Sequence, residues 1–316
     1  MEATNSETNN SLVDLSRRMA EAVERVSPAI VAVDARPRVP TSGVIWRPGI
    51  VVSTNHTIRR DEEITVSLDD GRQAKATLVG RDAGTDIAVL RVGEGDSEAA
   101  HTPAQYADAS TLKVGNLALA VGRASAERGV TASFGIISVV ANKWRTWRGG
   151  EIDRLIRPDT SIFIGFSGGA LVDVEGKVIG INTTGLARGA GVTIPASTVD
   201  RVIDQLLRHG RIARPYLGVG MQPVALPDKL RRELSLPAAS GLVILSVEQD
   251  APADKAGITL GDVLVALDGQ PVADTDDIQT ALGRREIGQT MKATILRGGE
   301  LREVTITLGE KPGKSK

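Results

Sequence analysis

A chain of 316 residues that is 41% hydrophobic is long enough to bury two sizeable cores. Its net charge of −1, with lysine and arginine dispersed and no basic run interleaved with aromatics, gives no electrostatic case for a nucleic-acid partner. No stretch approaches the ~18 apolar residues that span a bilayer, and the absence of cysteine excludes disulfides.

Residues 1–10 are polar and are expected to be unstructured. They carry neither the basic n-region nor the apolar h-region of a secretory leader. The expected location is therefore cytoplasmic, with the cell envelope reached only if a leader has been removed. Ser11 and Asp14 make a start resembling a capping box. Leu12, Leu15, Met19, Val23 and Val26 then recur at spacings of three and four, which predicts an amphipathic helix packed on the body that follows. From residue 29 the pattern changes to short β-branched and aliphatic runs at 30–33, 64–68, 74–79 and 87–92, with Asp70-Gly71 as a hairpin turn. A second set occupies 114–122, 135–140 and 192–195. Two clusters of short strands predict two β-barrels. Trp144-Arg145-Thr146-Trp147-Arg148-Gly149-Gly150 reads as a loop whose tryptophans either stack on the arginines or meet a neighbouring subunit. Residues 197–209 present Val199, Val202, Ile203, Leu206 and Leu207 on one face of a helix that stops at Gly210. Residues 211–215 form a short linker.

The chemistry concentrates in Gly165-Phe166-Ser167-Gly168-Gly169, where a serine sits in a glycine-rich turn. Such a turn supplies a nucleophile and aims backbone N–H groups at one point beside it. The same residues fit the G-x-S-x-G elbow, which requires a helix after the serine. Here residues 170–181 alternate apolar strand, Glu175-Gly176 turn and apolar strand, so a hairpin follows and an esterase of that class is disfavoured. Three histidines are available as a base. His209 closes a helix before Gly210 and His101 lies in a polar loop, whereas His56 follows the apolar run 49–54 at a strand end. Asp86 opens the run 86–90 and can orient the imidazole, while Asp82 reads as part of an exposed turn. The order His56, Asp86, Ser167 is that of the chymotrypsin-type arrangement.

On the segments Ser53-Thr54-Asn55-His56, 85–90, 159–171 and 191–197, the chain resembles the HtrA/Deg family of trypsin-like serine proteases, with one PDZ domain following. The resemblance implies a mainly β fold, a chymotrypsin-like double β-barrel followed by a PDZ β-sandwich with helices. It places the protease domain at 11–196, a connecting helix and linker at 197–214 and the PDZ domain at 215–311. It implies His56 as general base, Asp86 as its orienter, Ser167 as nucleophile and the N–H groups of Gly165 and Ser167 as the oxyanion hole. Thr183, Thr184, Gly185 and Leu186 are expected to shape an apolar specificity pocket. Leu217, Gly218 and Val219 match the carboxylate-binding loop of the PDZ domain, with Ile278 and Leu282 on the helix beside its groove. The expected activity is cleavage of unfolded or damaged polypeptides in protein quality control, with no metal or cofactor. Capture of peptide C-termini is expected to regulate the loops around Ser167, and the assembly is expected to be a homotrimer. Two departures stand out. The family pattern Pro-Gly-Asn-Ser-Gly-Gly-Pro is here Ile164-Gly165-Phe166-Ser167-Gly168-Gly169-Ala170, and Asn-His-Val is Asn55-His56-Thr57. Phe166 motivates the alternative of a peptide-binding scaffold or chaperone with little proteolysis.

Overall fold

The computed structural model describes residues 3–93, 102–125, 129–146, 148–187, 191–283 and 285–310, with side chains from residue 11 onward. His101 and Trp147 lie outside the described residues. The chain divides into two units, Met1–Ile212 and Ala213–Lys316.

The first unit opens with helix α1 (Ala3–Val26), which runs back from the expected start at Ser11 across the stretch expected to be unstructured. Asp14 pairs with Arg17 and Arg18 one turn on, so its carboxylate stiffens the helix instead of capping it. Once a helix is nucleated each further residue is cheap to add, which is why the polar segment can follow. Among the described side chains of α1, those of the C-terminal turns pack: Ala22 and Val26 are buried, while Leu12 and Val13 stay exposed. Six strands then close a barrel: β1 (Ile30–Asp34), β2 (Thr41–Arg47), β3 (Ile50–Thr54), β4 (Ile64–Ser67), β5 (Gln73–Asp82) and β6 (Ile87–Val92), in the order β1-β2-β3-β6-β5-β4. A second barrel follows the same logic. Its strands are β7 (Leu117–Gly122), β8 (Thr131–Ala141), β11 (Leu155–Pro158), β12 (Ala170–Val172), β13 (Val178–Thr183) and β14 (Val192–Pro195), ordered β11-β14-β13-β12-β7-β8. Between β8 and β11 the short ribbon β9 (Trp144–Arg145) and β10 (Glu151–Ile152) stands apart.

With few aromatics available, the cores rest on valine, isoleucine, leucine and alanine. One cluster fills the first barrel, a smaller one fills the second, and the largest joins the barrels to helix α2 (Ala196–His209) through Val199, Val202, Ile203 and Leu206. Gly210 ends α2 in the left-handed region at φ 69°.

The second unit holds a sheet of β16 (Val219–Ala225), β17 (Ser240–Val247), β18 (Val263–Leu267), β20 (Thr290–Arg297) and β21 (Glu300–Thr307), with β19 (Gln270–Pro271) on β18. The flanking strands β15 (Pro215–Tyr216) and β22 (Gly309–Glu310) pair with each other. Helices α3 (Asp228–Glu233), α4 (Pro252–Lys255) and α5 (Thr275–Leu282) complete it, α5 starting on a capping box of Asp274 and Asp277.

One ion pair of this unit has its carboxylate buried. Asp262, 2% exposed, meets the guanidinium of Arg297 at 2.7 Å from each oxygen and accepts the Thr259 N–H. Desolvation by burial pushes the carboxyl up, and Arg297 and Thr259 outweigh it, so the group lies below its ordinary 3.8. A carboxyl lowered on folding stabilises fully above its unfolded value, and that contribution disappears as pH falls through the folded one. Asp262→Asn is therefore expected to destabilise the unit by about 2 kcal/mol at pH 7. The difference from the parent chain should shrink below pH 4, as read in denaturant melts. A difference that stays constant down to pH 2 would contradict it.

Candidate active site

Register brings the first two groups together. Thr54, the last residue of β3, lies opposite Ile87, the first of β6. The chain leaving β3 and the chain entering β6 are therefore neighbours. His56 sits in a single 3₁₀ turn (Asn55–Thr57) beyond β3, closed by the Thr57 hydroxyl donating to Thr54 O at 2.8 Å. The threonine that departs from the family pattern thus fastens the turn carrying the histidine. Asp86 immediately precedes β6 at φ 60°, a left-handed conformation that aspartate tolerates better than most side chains.

The Asp86 carboxylate is fully buried, and its hydrogen bonds account for it. Oδ1 accepts the His56 N–H at 2.9 Å, and Oδ2 lies 2.7 Å from His56 Nδ1 and accepts the Thr183 hydroxyl at 2.5 Å. A carboxylate only accepts, so this pairing puts the imidazole proton on Nδ1 and leaves Nε2 free to accept. Asp82, expected in an exposed turn, is buried. It spends its carboxylate on the N–H of Gly84 at 3.1 Å and on the N–H and hydroxyl of Thr85 at 2.9 and 2.7 Å. It shapes the turn that delivers Asp86. Thr146 supports the same turn, donating its hydroxyl to Gly84 O at 2.7 Å. Gly150 of the same segment also lies against Gly84, where a Cβ on Gly150 would stand 2.1 Å from the Gly84 carbonyl carbon.

Ser167 comes from the second barrel, on the turn before β12. The hairpin forms as expected, with Ala170 opposite Ile181, so the chain before β12 lies beside the end of β13. Gly165 and Gly168 take φ of 95° and 89°, and a Cβ on Gly168 would stand 2.1 Å from Ser42 O. Only glycine fits there. Sequence reasoning missed the residues that hold this turn. Ser42 donates its N–H at 2.9 Å and its hydroxyl at 2.6 Å to Gly165 O, and Thr41 donates its hydroxyl to Ser167 O at 2.6 Å. Gly168 N–H donates to Asn182 O at 2.9 Å. Among the described residues, the N–H groups of Gly165 and Ser167 have no acceptor within the protein. The Ser167 hydroxyl pairs with Thr184 Oγ1 at 3.2 Å, and no hydrogen bond joins it to His56.

The four residues expected to form the specificity pocket separate. Thr183 is fully buried with its hydroxyl on Asp86, and Leu186 is buried in the cluster between the barrels. Gly185 backs the His56–Asp86 pair so closely that a Cβ would stand 2.6 Å from Asp86 Oδ2. Thr184 alone is exposed beside Ser167. In the second unit, Gly218 takes φ 82°. Leu217, Ile278 and Leu282 are buried in one cluster, with Val219 packed on it at the start of the edge strand β16. A cavity of about 560 Å³ in this unit, lined by Tyr216, Glu248, Lys255 and Thr307 among others, includes none of the five residues expected to bind peptide.

Comparison with known proteins matches residues 41–181 to the trypsin-like peptidase domain and residues 215–308 to the PDZ domain. A probable periplasmic serine endoprotease DegP-like of Rhizobium meliloti (strain 1021) is 34% identical over 287 residues, 89% of this chain and 55% of that protein. The chain spans about half the length of the curated relatives it matches. The serine endoprotease from Yersinia pestis superposes with a TM-score of 0.71 at 30% identity, covering 93% of this chain and 98% of that one. The HtrA-type protease AlgW, solved with a tripeptide, gives 0.68 at 32% identity, covering 93% and 98%. These relatives correct one expectation. The cytoplasmic location inferred from the N-terminus does not stand, because relatives over most of the chain carry the name periplasmic and point to the cell envelope.

Proposed function

Because the chain belongs to the HtrA family of trypsin-like serine proteases, we propose that it is a serine endopeptidase in which Ser167 attacks a peptide carbonyl. Its proton passes to Nε2 of His56, and the imidazolium that forms is stabilised by the buried Asp86 carboxylate. The N–H groups of Gly165 and Ser167 stabilise the oxyanion. His56 then returns the proton to the leaving amine, and water releases the acyl group. Thr183 holds the carboxylate from behind. The observation that carries this reading is the Asp86 carboxylate, fully buried and committed to His56 and Thr183. The Ser167 hydroxyl must exchange Thr184 for His56 as substrate binds. A 3.2 Å contact is at the long end for two hydroxyls, so the exchange is cheap.

The substrates in this reading are unfolded polypeptides, which can lie extended across the cleft between the barrels. Incubation with a reduced, alkylated polypeptide and with its folded parent tests this. Cleavage of the former alone, absent in Ser167→Ala, supports it; equal cleavage of both contradicts the preference. The PDZ unit captures peptide C-termini by pairing them with the free edge of β16 and holding the carboxylate at Leu217, Gly218 and Val219. Its occupancy regulates turnover, in an assembly of three chains serving protein quality control. Amidating the C-terminus of a test peptide is expected to weaken its binding by at least about tenfold in calorimetry. Equal affinity would contradict capture through the carboxylate.

A second reading, a peptide-binding scaffold with little turnover, draws on the pairing of Ser167 with Thr184 instead of His56. It predicts no cleavage of either polypeptide while C-terminal peptides still bind.

A further inference from the structure

Phe166 stands between the two N–H groups assigned to the oxyanion, so whatever fixes Phe166 orients both. Its side chain is 2% exposed, within a turn whose residues 165–169 are all buried. The ring lies in the interior cluster of the second barrel with Ala118, Ala120 and Leu171. The backbone of β7 closes over it: a Cβ on Gly122 would come within 3.0 Å of Phe166 Cδ1. Phe163 meets it edge-on at 5.3 Å between ring centroids, with the planes at 88°. The Phe166 N–H donates to Phe163 O at 3.0 Å, and its carbonyl accepts the Gly169 N–H at 2.8 Å. Ser42 and Thr41 hold the carbonyls of the residues on either side. Every carbonyl from Gly165 to Ser167 is thus occupied, and the one bulky side chain of the turn proper is sealed in a packed core. A close-packed interior admits few alternative placements of a ring. Donors that stabilise charge in a transition state are effective to the degree that they need not reorganise.

We propose that Phe166 is the positioning residue of the oxyanion turn: burial of its ring in the second barrel holds the Gly165 and Ser167 N–H groups where charge develops. The inference rests on the serine-protease reading. It separates turnover from substrate binding, because the ring touches the turn and not the substrate. It also assigns the asparagine-to-phenylalanine departure a role in assembling the turn, in place of reshaping a subsite.

The test compares kcat and KM on a chromogenic peptide amide, together with thermal melts, for the full chain and three variants. Phe166→Asn, which cannot occupy the apolar seat without leaving its amide unpaired, is expected to lose kcat by about 10²-fold with KM changed less than about twofold. Phe166→Leu refills the seat and recovers most of that loss. Phe163→Ala removes the edge contact from a ring that is 54% exposed, at little folding cost. It is expected to lower kcat by about threefold with melting unchanged. Turnover of Phe166→Asn within about threefold of the parent would overturn the proposal, as would a loss in Phe166→Leu equal to that in Phe166→Asn. Should Phe166→Asn fail to fold, Phe163→Ala decides: lowered kcat at unchanged melting supports the proposal, and unchanged kcat overturns it. A parent chain that turns over no peptide removes the protease reading and this inference with it. A parent that does, beside an equally active Phe166→Asn, removes this inference alone.

Discussion

Replacing Ser167 with alanine is expected to lower kcat by about 10⁶-fold while leaving the fold intact. The expectation follows from where the hydroxyl stands. Ser167 is nearly buried at the mouth of the second barrel, and among the described residues its hydroxyl makes one hydrogen bond, to Thr184 at 3.2 Å. Losing that contact costs little stability, because Thr184 is exposed and its hydroxyl turns to water. Losing the nucleophile removes the acylation route altogether. What remains is the residual rate from backbone donors and binding, which the unchanged Ser42 and Thr41 tethers preserve. Equal melting curves with turnover reduced by less than about 10²-fold would show that another group carries the chemistry.

Asp86→Asn is expected to lower kcat by about 10⁴-fold. Asparagine, like aspartate, tolerates the left-handed backbone at φ 60° better than most side chains and nearly matches the volume of aspartate, so the site survives geometrically. Its hydrogen-bond chemistry does not. The carboxylate accepts from the His56 N–H, His56 Nδ1 and the Thr183 hydroxyl at once. An amide has one accepting oxygen and an NH₂ that must donate. If that NH₂ faces Nδ1, the imidazole proton moves to Nε2, and the ring can no longer accept from Ser167. If it faces the His56 N–H instead, two donors meet and that buried N–H loses its acceptor. Steady-state kinetics beside nitrogen-resolved NMR of His56 checks this. Unchanged kcat with the proton still on Nδ1 would contradict it.

The two barrels, the hairpin after Ser167 and the α2 helix were legible because each rests on local periodicity. The apolar runs at β3 and β6 also marked His56 and Asp86 as strand-end residues. What was misread depends on chain brought in from far away. Asp82 lies in Gly80-Arg81-Asp82-Ala83-Gly84, which in any local window resembles a solvated turn. It is buried because Thr146 and Gly150, some sixty residues on, lie against Gly84. Thr41 and Ser42, which no local pattern singled out, are fully buried where the two barrels meet and spend their hydroxyls on the nucleophile turn. Thr183 was placed in the specificity pocket from its position after the hairpin strand. Thr183 ends β13 with its hydroxyl on Asp86, and Thr184, the first residue beyond the strand, faces Ser167. The location was misjudged for a different reason: the first residues of a sequence carry no information about the compartment, whereas relatives matched over most of the chain carry the name periplasmic.

The most direct test of the site is intact-mass analysis after incubation with a fluorophosphonate, which phosphonylates a serine only where a base activates it and donors receive the charge. One adduct per chain, mapped to Ser167 and lost in both Ser167→Ala and His56→Ala, is the predicted result. No adduct at any pH between 6 and 9 in the presence of C-terminal peptides, or an adduct on another residue, would contradict the assignment of His56, Asp86 and Ser167 to one catalytic centre.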